Sequence, residues 1–218
     1  MMRVNIGCGQ TPTFGWRNFD NSVTVRLSKL PVMSAVLRWL GVLNQAQYQF
    51  TKFARQHKIE YGNAVRKLPL KTGSCDVVYS SHMLEHLDRS EAGLFLREAH
   101  RLLCPNGILR IAVPDISRQV AQYNACGDAD AFMEASCLCV SRPKGLAQRL
   151  RLLLVGTRHH QWMYDGKSLS RLLAKHGFVQ PEIMPVGMTG ISDAGPLNLQ
   201  ERCTKSVYVE ARKPAKPA

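Results

Sequence analysis

Apolar residues along this chain fall into short runs broken by glycine, proline and acidic positions, and the runs alternate between strand-like and helix-like spacing. Val4 and Ile6 begin a short buried strand that ends at Gly7-Cys8-Gly9, and Trp16 to Asp20 reads as a second strand closed by an acid. Lys58 to Gly62 suits a third strand. Cys75 to Tyr79, apolar almost throughout, suits a fourth that is covered on both faces. Asp88 with Glu91 three positions on forms a capping box, and Phe95, Ala99, Leu102 and Leu103 follow at helical spacing until Pro105-Asn106-Gly107 stops the helix. Ile108 to Val113 predicts a fifth strand closed by Pro114. Asp165 opens a further helix bearing Leu169, Leu172 and Leu173, with Gly177 past its end. Phe178 to Pro185 and Lys205 to Arg212 are the closing strands, expected to pair antiparallel, and residues 214–218 read as a disordered tail.

Strands alternating with helices predict a doubly wound, mostly parallel α/β sheet. Residues 1–213 are expected to form one domain. Two segments stand outside the alternation, at about 22–57 and 116–161, and both read as helical insertions at carboxyl ends of strands, where such sheets build substrate sites.

Composition narrows the setting. A chain of 218 residues can bury a sizeable core. Its seven cysteines are an odd number and include no C-x-x-C pair, which argues for a reducing compartment and against a disulfide framework. The pattern begins at Arg3, so no signal peptide is expected. The longest apolar stretch, Leu30 to Leu43, contains Arg38 and falls short of the roughly 20 residues needed to cross a bilayer. A cytoplasmic protein, peripheral to the inner membrane face at most, is the expectation. The formal charge of +13, from 29 basic and 16 acidic residues, favours an anionic partner.

Glycine at the carboxyl end of a parallel strand lets the backbone approach a ligand, and an acid ending the next strand can accept from a ribose diol. Four stretches then resemble the class I S-adenosylmethionine-dependent methyltransferases, in particular small bacterial ones associated with surface-polysaccharide biosynthesis. They are Asn5 to Gly9 with Gly15 to Asp20; Leu68-Pro69 through Cys75 to Leu87, which includes Tyr79-Ser80-Ser81-His82-Met83-Leu84-Glu85-His86; Glu98 to Gly107; and His160 to Asp165 with Leu172, Leu173, Gly177 and Phe178. Two departures accompany the likeness. Only Gln10 to Trp16 separates the glycines from the second strand, so the first helix must be one turn or absent, and Asn63 stands where the family commonly has an adenine-side acid.

The resemblance implies a methyl transfer from S-adenosylmethionine to a small-molecule or glycan acceptor. It places the Gly7-Cys8-Gly9 backbone against the amino-acid end of the cofactor, Asp20 on the ribose, Asn63 and Ala64 beside the adenine, and Ser80, Ser81 and His82 under the methionine portion. His82 and His160 are the candidates for a base or for positioning the acceptor. Other classes fit less of the chain. His82-Met83-Leu84-Glu85-His86 has the H-x-x-E-H pattern of inverted zinc peptidases, but only Glu134 offers itself as a third ligand, so no metal is expected. Pro12 stands in place of the third glycine of a dinucleotide fingerprint. An RNA-directed methyltransferase and a non-catalytic cofactor-binding module remain alternatives.

Several further residues read as structural. Trp39 and Leu40, spaced with Val36 and Leu43, predict a buried helix face; Cys137 and Cys139 have no metal-ligand company; His159 is expected to face solvent; Trp162 and Tyr164 suit either the acceptor pocket or the core. Between Arg142 and Arg158 lie five basic residues and no acid, and Leu146, Leu150, Leu153 and Leu154 can form one apolar stripe among them. That pattern predicts either a helix lying in a lipid interface or a surface helix docked on the domain.

Overall fold

The computed structural model of the chain describes residues 2–139, 145 and 159–215. The basic helix expected between Arg142 and Arg158, and the last residues of the expected tail, lie outside them. Among the described residues seven strands form one sheet: β1 (Met2–Ile6), β2 (Arg17–Asp20), β3 (Glu60–Tyr61), β4 (Cys75–Ser81), β5 (Leu103–Pro114), β6 (Val179–Met184) and β7 (Ser206–Arg212). Their order is β3-β2-β1-β4-β5-β7-β6. β1 to β5 run parallel, and β7 is antiparallel to both β5 and β6. The α/β class and the antiparallel closing pair are as the pattern predicts.

One face of the sheet is covered by helices. Val4, Ile6 and Val78 pack against Ala92, Phe95, Leu96 and Ala99 of α4 (Arg89–Leu102) and against Leu169, Leu172 and Leu173 further on. α4 starts as its sequence dictates: the Asp88 carboxylate accepts from the amides of Ser90 and Glu91, and Glu91 reaches back to the amide of Asp88. It ends earlier than Pro105-Asn106-Gly107 suggests. β5 begins at Leu103, and the proline-glycine stretch bulges out of that strand, since Cys75 pairs with Leu103 but Val77 with Ile108.

The opposite face carries Trp16, Val77, Tyr79 and Ile108, and Ile191 and Leu197 cover them. These come from the irregular segment 185–205 between β6 and β7. Arg110, wholly buried on β5, holds that segment down: it ion-pairs with Glu210 on β7 at 2.5 Å and donates to the Met188 carbonyl at 3.0 Å. Glu210 also accepts from the Thr189 hydroxyl and the Gly190 amide.

Both expected insertions contain helices. The first holds α1 (Val23–Ser28), α2 (Pro31–Trp39) and α3 (Gln45–Gln56), tied to the sheet edge through Cys8, Val25, Ala54 and Ile59. The second begins with α5 (Ile116–Cys126) and α6 (Ala129–Ser136). The buried face expected on α2 is not there. Trp39 is 84% exposed and Val36 and Leu40 are exposed, whereas Leu43 alone of that set is buried. Among the described residues α2 packs only on its neighbours α1 and α3, so its apolar stripe has no partner there. The helix opened by Asp165 is α7 (Gly166–Lys175), where Asp165 accepts from the Ser168 amide and Gly177 takes the left-handed conformation past the end, at φ +84.

Breaking a buried ion pair by removing one partner typically costs about 3–5 kcal/mol, because the other charge stays buried. Glu210→Met is expected to lower the urea unfolding free energy by about that amount. Adding Arg110→Met should recover most of the loss, since the pair is then replaced by apolar volume. Denaturation curves of the two variants check both outcomes.

Candidate active site

Parallel pairing aligns the carboxyl ends of the central strands. Ile6 lies opposite Phe19, Asp20 opposite Tyr61, Asn5 opposite Tyr79, and Ser81 opposite Ala112. Continuing these registers by one or two residues puts Tyr61, Asp20, Gly7, Ser81 and Ala112 in a single row along one edge. The row contains, or directly precedes, every residue expected to bind the cofactor.

Gly7 has φ +73, and a side chain there would place its Cβ 2.4 Å from Met83 Cγ, so only glycine fits without displacing the start of the β4 exit loop. The amides of Gly7 and Cys8 both donate to the Phe19 carbonyl, at 2.8 and 3.0 Å. The Gly9 amide donates to Asp20 Oδ2 at 3.1 Å and the Ser22 amide to Oδ1 at 2.8 Å. Asp20 is thus fixed between the glycine turn and the start of α1.

The remaining expected residues divide by what their side chains do. Cys8 is buried among Val25, Ala54 and Ile59, and burial, with the Asp20 charge second, pushes its thiol well above the usual range. Its main chain is what it can offer a ligand. Asn63 uses its carbonyl oxygen to accept from the Val65 amide, and Ala64 is buried beside it. The Ser80 hydroxyl donates to the Ile6 carbonyl at 2.9 Å, tying β4 to β1. Ser81, one residue on, has a buried hydroxyl with no partner in hydrogen-bond geometry among the described residues. A buried hydroxyl in this row, with the Tyr79 hydroxyl near it and beside a glycine that must stay bare, suits a polar ligand laid across the strand ends.

His82 leaves β4 in the left-handed conformation, at φ +49, unusual for a residue with a side chain. Its ring is buried, with Nε2 2.8 Å from the Ser206 hydroxyl and Nδ1 3.2 Å from Glu85 Oε1. It is therefore not the first member of a helical H-x-x-E-H face. A 3-10 turn spans only Leu84–His86, which overturns the geometry on which the peptidase pattern rests. Glu134 has no place among the gathered ligand atoms either. The residue brought to Glu85 and His86 is His160, whose ring lies 5.1 Å from that of His86. Burial lowers the His160 pKa, and Glu85 acts in the opposite sense.

The sequence also misplaced some neighbours. His159 is half-buried, and its carbonyl faces His86 Nδ1 at 3.0 Å. Tyr164 is fully buried in the core, while Trp162 is 45% exposed beneath the Arg89 guanidinium. Ser206, as the partner of His82, carried no local signal: it is a serine at the start of the last strand.

Residues 4–111 match the family model described as a methyltransferase domain. No curated protein matches the chain. Among solved structures, S-adenosylmethionine-dependent methyltransferases share the fold at low identity. One from Methanosarcina mazei gives a TM-score of 0.53 at 14% identity, covering 99% of this chain and 93% of that one. One from Thermotoga maritima, described as a possible histamine N-methyltransferase, gives 0.52 at 15%, covering 97% and 82%. One from Archaeoglobus fulgidus gives 0.50 at 14%, covering 97% and 86%.

Each hydrogen bond from a ribose hydroxyl to a carboxylate is worth roughly 1.5–3 kcal/mol. Asp20→Ala should therefore weaken S-adenosylmethionine binding by about one to four orders of magnitude, for one or two bonds lost. Calorimetric titration of the wild type and the variant measures this, and equal affinities would take Asp20 out of the site.

Proposed function

We propose that this chain, a class I S-adenosylmethionine-dependent methyltransferase, methylates a hydroxyl of an anionic glycan presented at a membrane surface. The observation that carries the reading is the first insertion. Residues 21–59 contain six lysines and arginines and no acid. On α2 of the same segment Val32 is 77% and Trp39 84% exposed, with Met33, Val36 and Leu40 also in solvent. An exposed apolar stripe flanked by Arg26, Lys29 and Arg38 has the composition of a helix lying in a lipid interface. The insertion leaves the sheet directly after Asp20, so whatever it docks on is brought close to the row of strand ends. No helix among the described residues is long and apolar enough to cross a membrane.

S-adenosylmethionine supplies a methyl carbon already activated by the sulfonium. The protein's task is then to align an acceptor oxygen in line with the carbon–sulfur bond and to receive its proton. Glycine at 7 and the Asp20 carboxylate would fix the cofactor along the row. His82 has both ring nitrogens engaged, which suits a positioning residue better than a proton carrier. His160 is half-buried with its pKa lowered, so it is neutral near pH 7 and suited to meeting the acceptor hydroxyl. The residues are proposed to work within one domain that extends to about residue 213, in a cytoplasmic enzyme of surface-polysaccharide synthesis.

Vesicle co-sedimentation tests the membrane part. Wild type is expected to bind vesicles rich in anionic lipid and to ignore zwitterionic ones. A large apolar side chain is worth about 1.5–3 kcal/mol on full burial, so Val36→Glu with Trp39→Glu should reduce partitioning at least about tenfold. Transfer of labelled methyl groups from the cofactor to a lipid-linked glycan fraction tests the acceptor. Indifference to vesicles, with salt-sensitive retention of RNA and label in the RNA fraction, would overturn the reading in favour of an RNA acceptor.

A further inference from the structure

Glu85 is 1% exposed, and neither of its carboxylate oxygens has a partner in hydrogen-bond geometry among the described residues. His82 Nδ1 lies within ion-pair distance of Oε1, at 3.2 Å, but out of hydrogen-bond alignment. The Ser206 hydroxyl lies 2.8 Å from His82 Nε2 and 2.9 Å from the Arg202 carbonyl, and its one proton can serve either. With that proton on Nε2, His82 Nδ1–H faces Oε1, and Oε2 is left without a partner among the described residues.

Two further imidazoles converge on the same carboxylate. His86 Nδ1 is 3.0 Å from the His159 carbonyl, which accepts its proton and fixes the tautomer with a lone pair on Nε2. That is how metal-ligating histidines are ordinarily oriented. His160 Nδ1 is buried with no partner in hydrogen-bond geometry among the described residues, and the Ser136 main chain lies beside the ring. Glu85, His86 and His160 each present one ligand atom, and these atoms all lie within 4.8 Å of one another. Main-chain bonds hold the two segments together independently of any ligand: the Gln161 and Trp162 amides both donate to the Glu85 carbonyl, and the His160 amide donates to the Cys137 carbonyl.

We propose that Glu85, His86 and His160 bind a divalent transition-metal ion. Two imidazoles and one carboxylate suit zinc, cobalt, iron or manganese, and three protein ligands leave positions open for oxygen atoms of water or an acceptor. Bonds of roughly 2.0–2.2 Å would draw the ligand atoms in by about an ångström, which side-chain rotation supplies. His82 reaches only Oε1, which leaves Oε2 and the buried His160 imidazole facing the same small space. His82 is a positioning residue here, held by Ser206 and held in turn against Glu85. The proposal rests on the geometry of this cluster and not on the identity of the acceptor. With the ion bound, His160 would hold the acceptor through the metal and not take its proton directly.

Co²⁺ titration of chelator-treated protein, followed by visible absorption and by metal analysis after gel filtration, tests the assignment. One equivalent is expected, with d–d bands of the intensity given by four- or five-coordinate cobalt and displaceable by Zn²⁺. Glu85→Gln, His86→Ala and His160→Ala should each weaken binding at least about a hundredfold, and His82→Gln about tenfold, as for a residue that orients a ligand. For the Glu85, His86 and His160 variants, S-adenosylmethionine affinity, assigned to the Gly7 and Asp20 row, serves as the folding control, so loss of metal with cofactor binding intact leaves the methyltransferase reading untouched. No cobalt bound, binding that survives His160→Ala, or thiolate charge-transfer bands from Cys137 and Cys139 would overturn the site.

Discussion

The structure depends most on how few residues connect β1 to β2. A parallel crossover usually needs a dozen or more residues and a helix, and here residues 7–16 complete it without one. Two buried asparagines hold the turn. Asn5 donates to the Thr11 carbonyl and the Thr13 hydroxyl, and Asn18 accepts from the Thr13 amide while donating to the Thr13 and Trp16 carbonyls. The consequence reaches across the sheet. With no crossover helix, Trp16, Val77, Tyr79 and Ile108 would face solvent, and the irregular segment 185–205 covers them instead. That segment has no secondary structure of its own to satisfy its backbone, so charged side chains do it. Glu210 holds Thr189 and Gly190, Arg110 holds Met188, and Glu201 accepts from Tyr79. The same segment delivers Ser206 to His82. The short crossover and the state of the His82 imidazole are therefore linked through one chain of contacts.

The sheet itself was legible because its signals are local. Val4 and Ile6, Cys75 to Tyr79 and Ile108 to Val113 are runs that only a doubly covered strand tolerates, and Asp88 and Asp165 announce their helices by capping. The row of strand ends proposed to take the cofactor could be located for the same reason, since a glycine turn and a strand-ending acid are signatures of position along one strand. What the sequence hid depends on contacts between distant segments. Nothing near Val36 or Trp39 reveals whether another element covers α2, and an amphipathic stripe reads alike buried or exposed. Nor does H-x-x-E-H spacing disclose that His82 sits at positive φ, which removes it from the helical face and admits His160 in its place.

The two halves of the site are built on supports of different stiffness. Gly7, Asp20 and Ser81 sit at the ends of strands whose registers fix them to one another, so a ligand bound there would meet a nearly rigid edge. His86 and His160 sit on a 3-10 turn and on the end of an insertion, joined by main-chain bonds to Glu85 and Cys137. A rigid row suits a ligand that is the same in every turnover, whereas segments carried by insertions can differ in what they admit. The charge distribution points the same way. The acid-free stretch at residues 21–59, with its six lysines and arginines, attaches next to Asp20 and so places a basic segment beside the row. An anionic acceptor drawn there by long-range attraction would still need short-range selection. Buried groups without a partner in hydrogen-bond geometry among the described residues, such as the Glu85 carboxylate and the His160 nitrogen, would supply selection, because each wrong occupant would leave them unpaired.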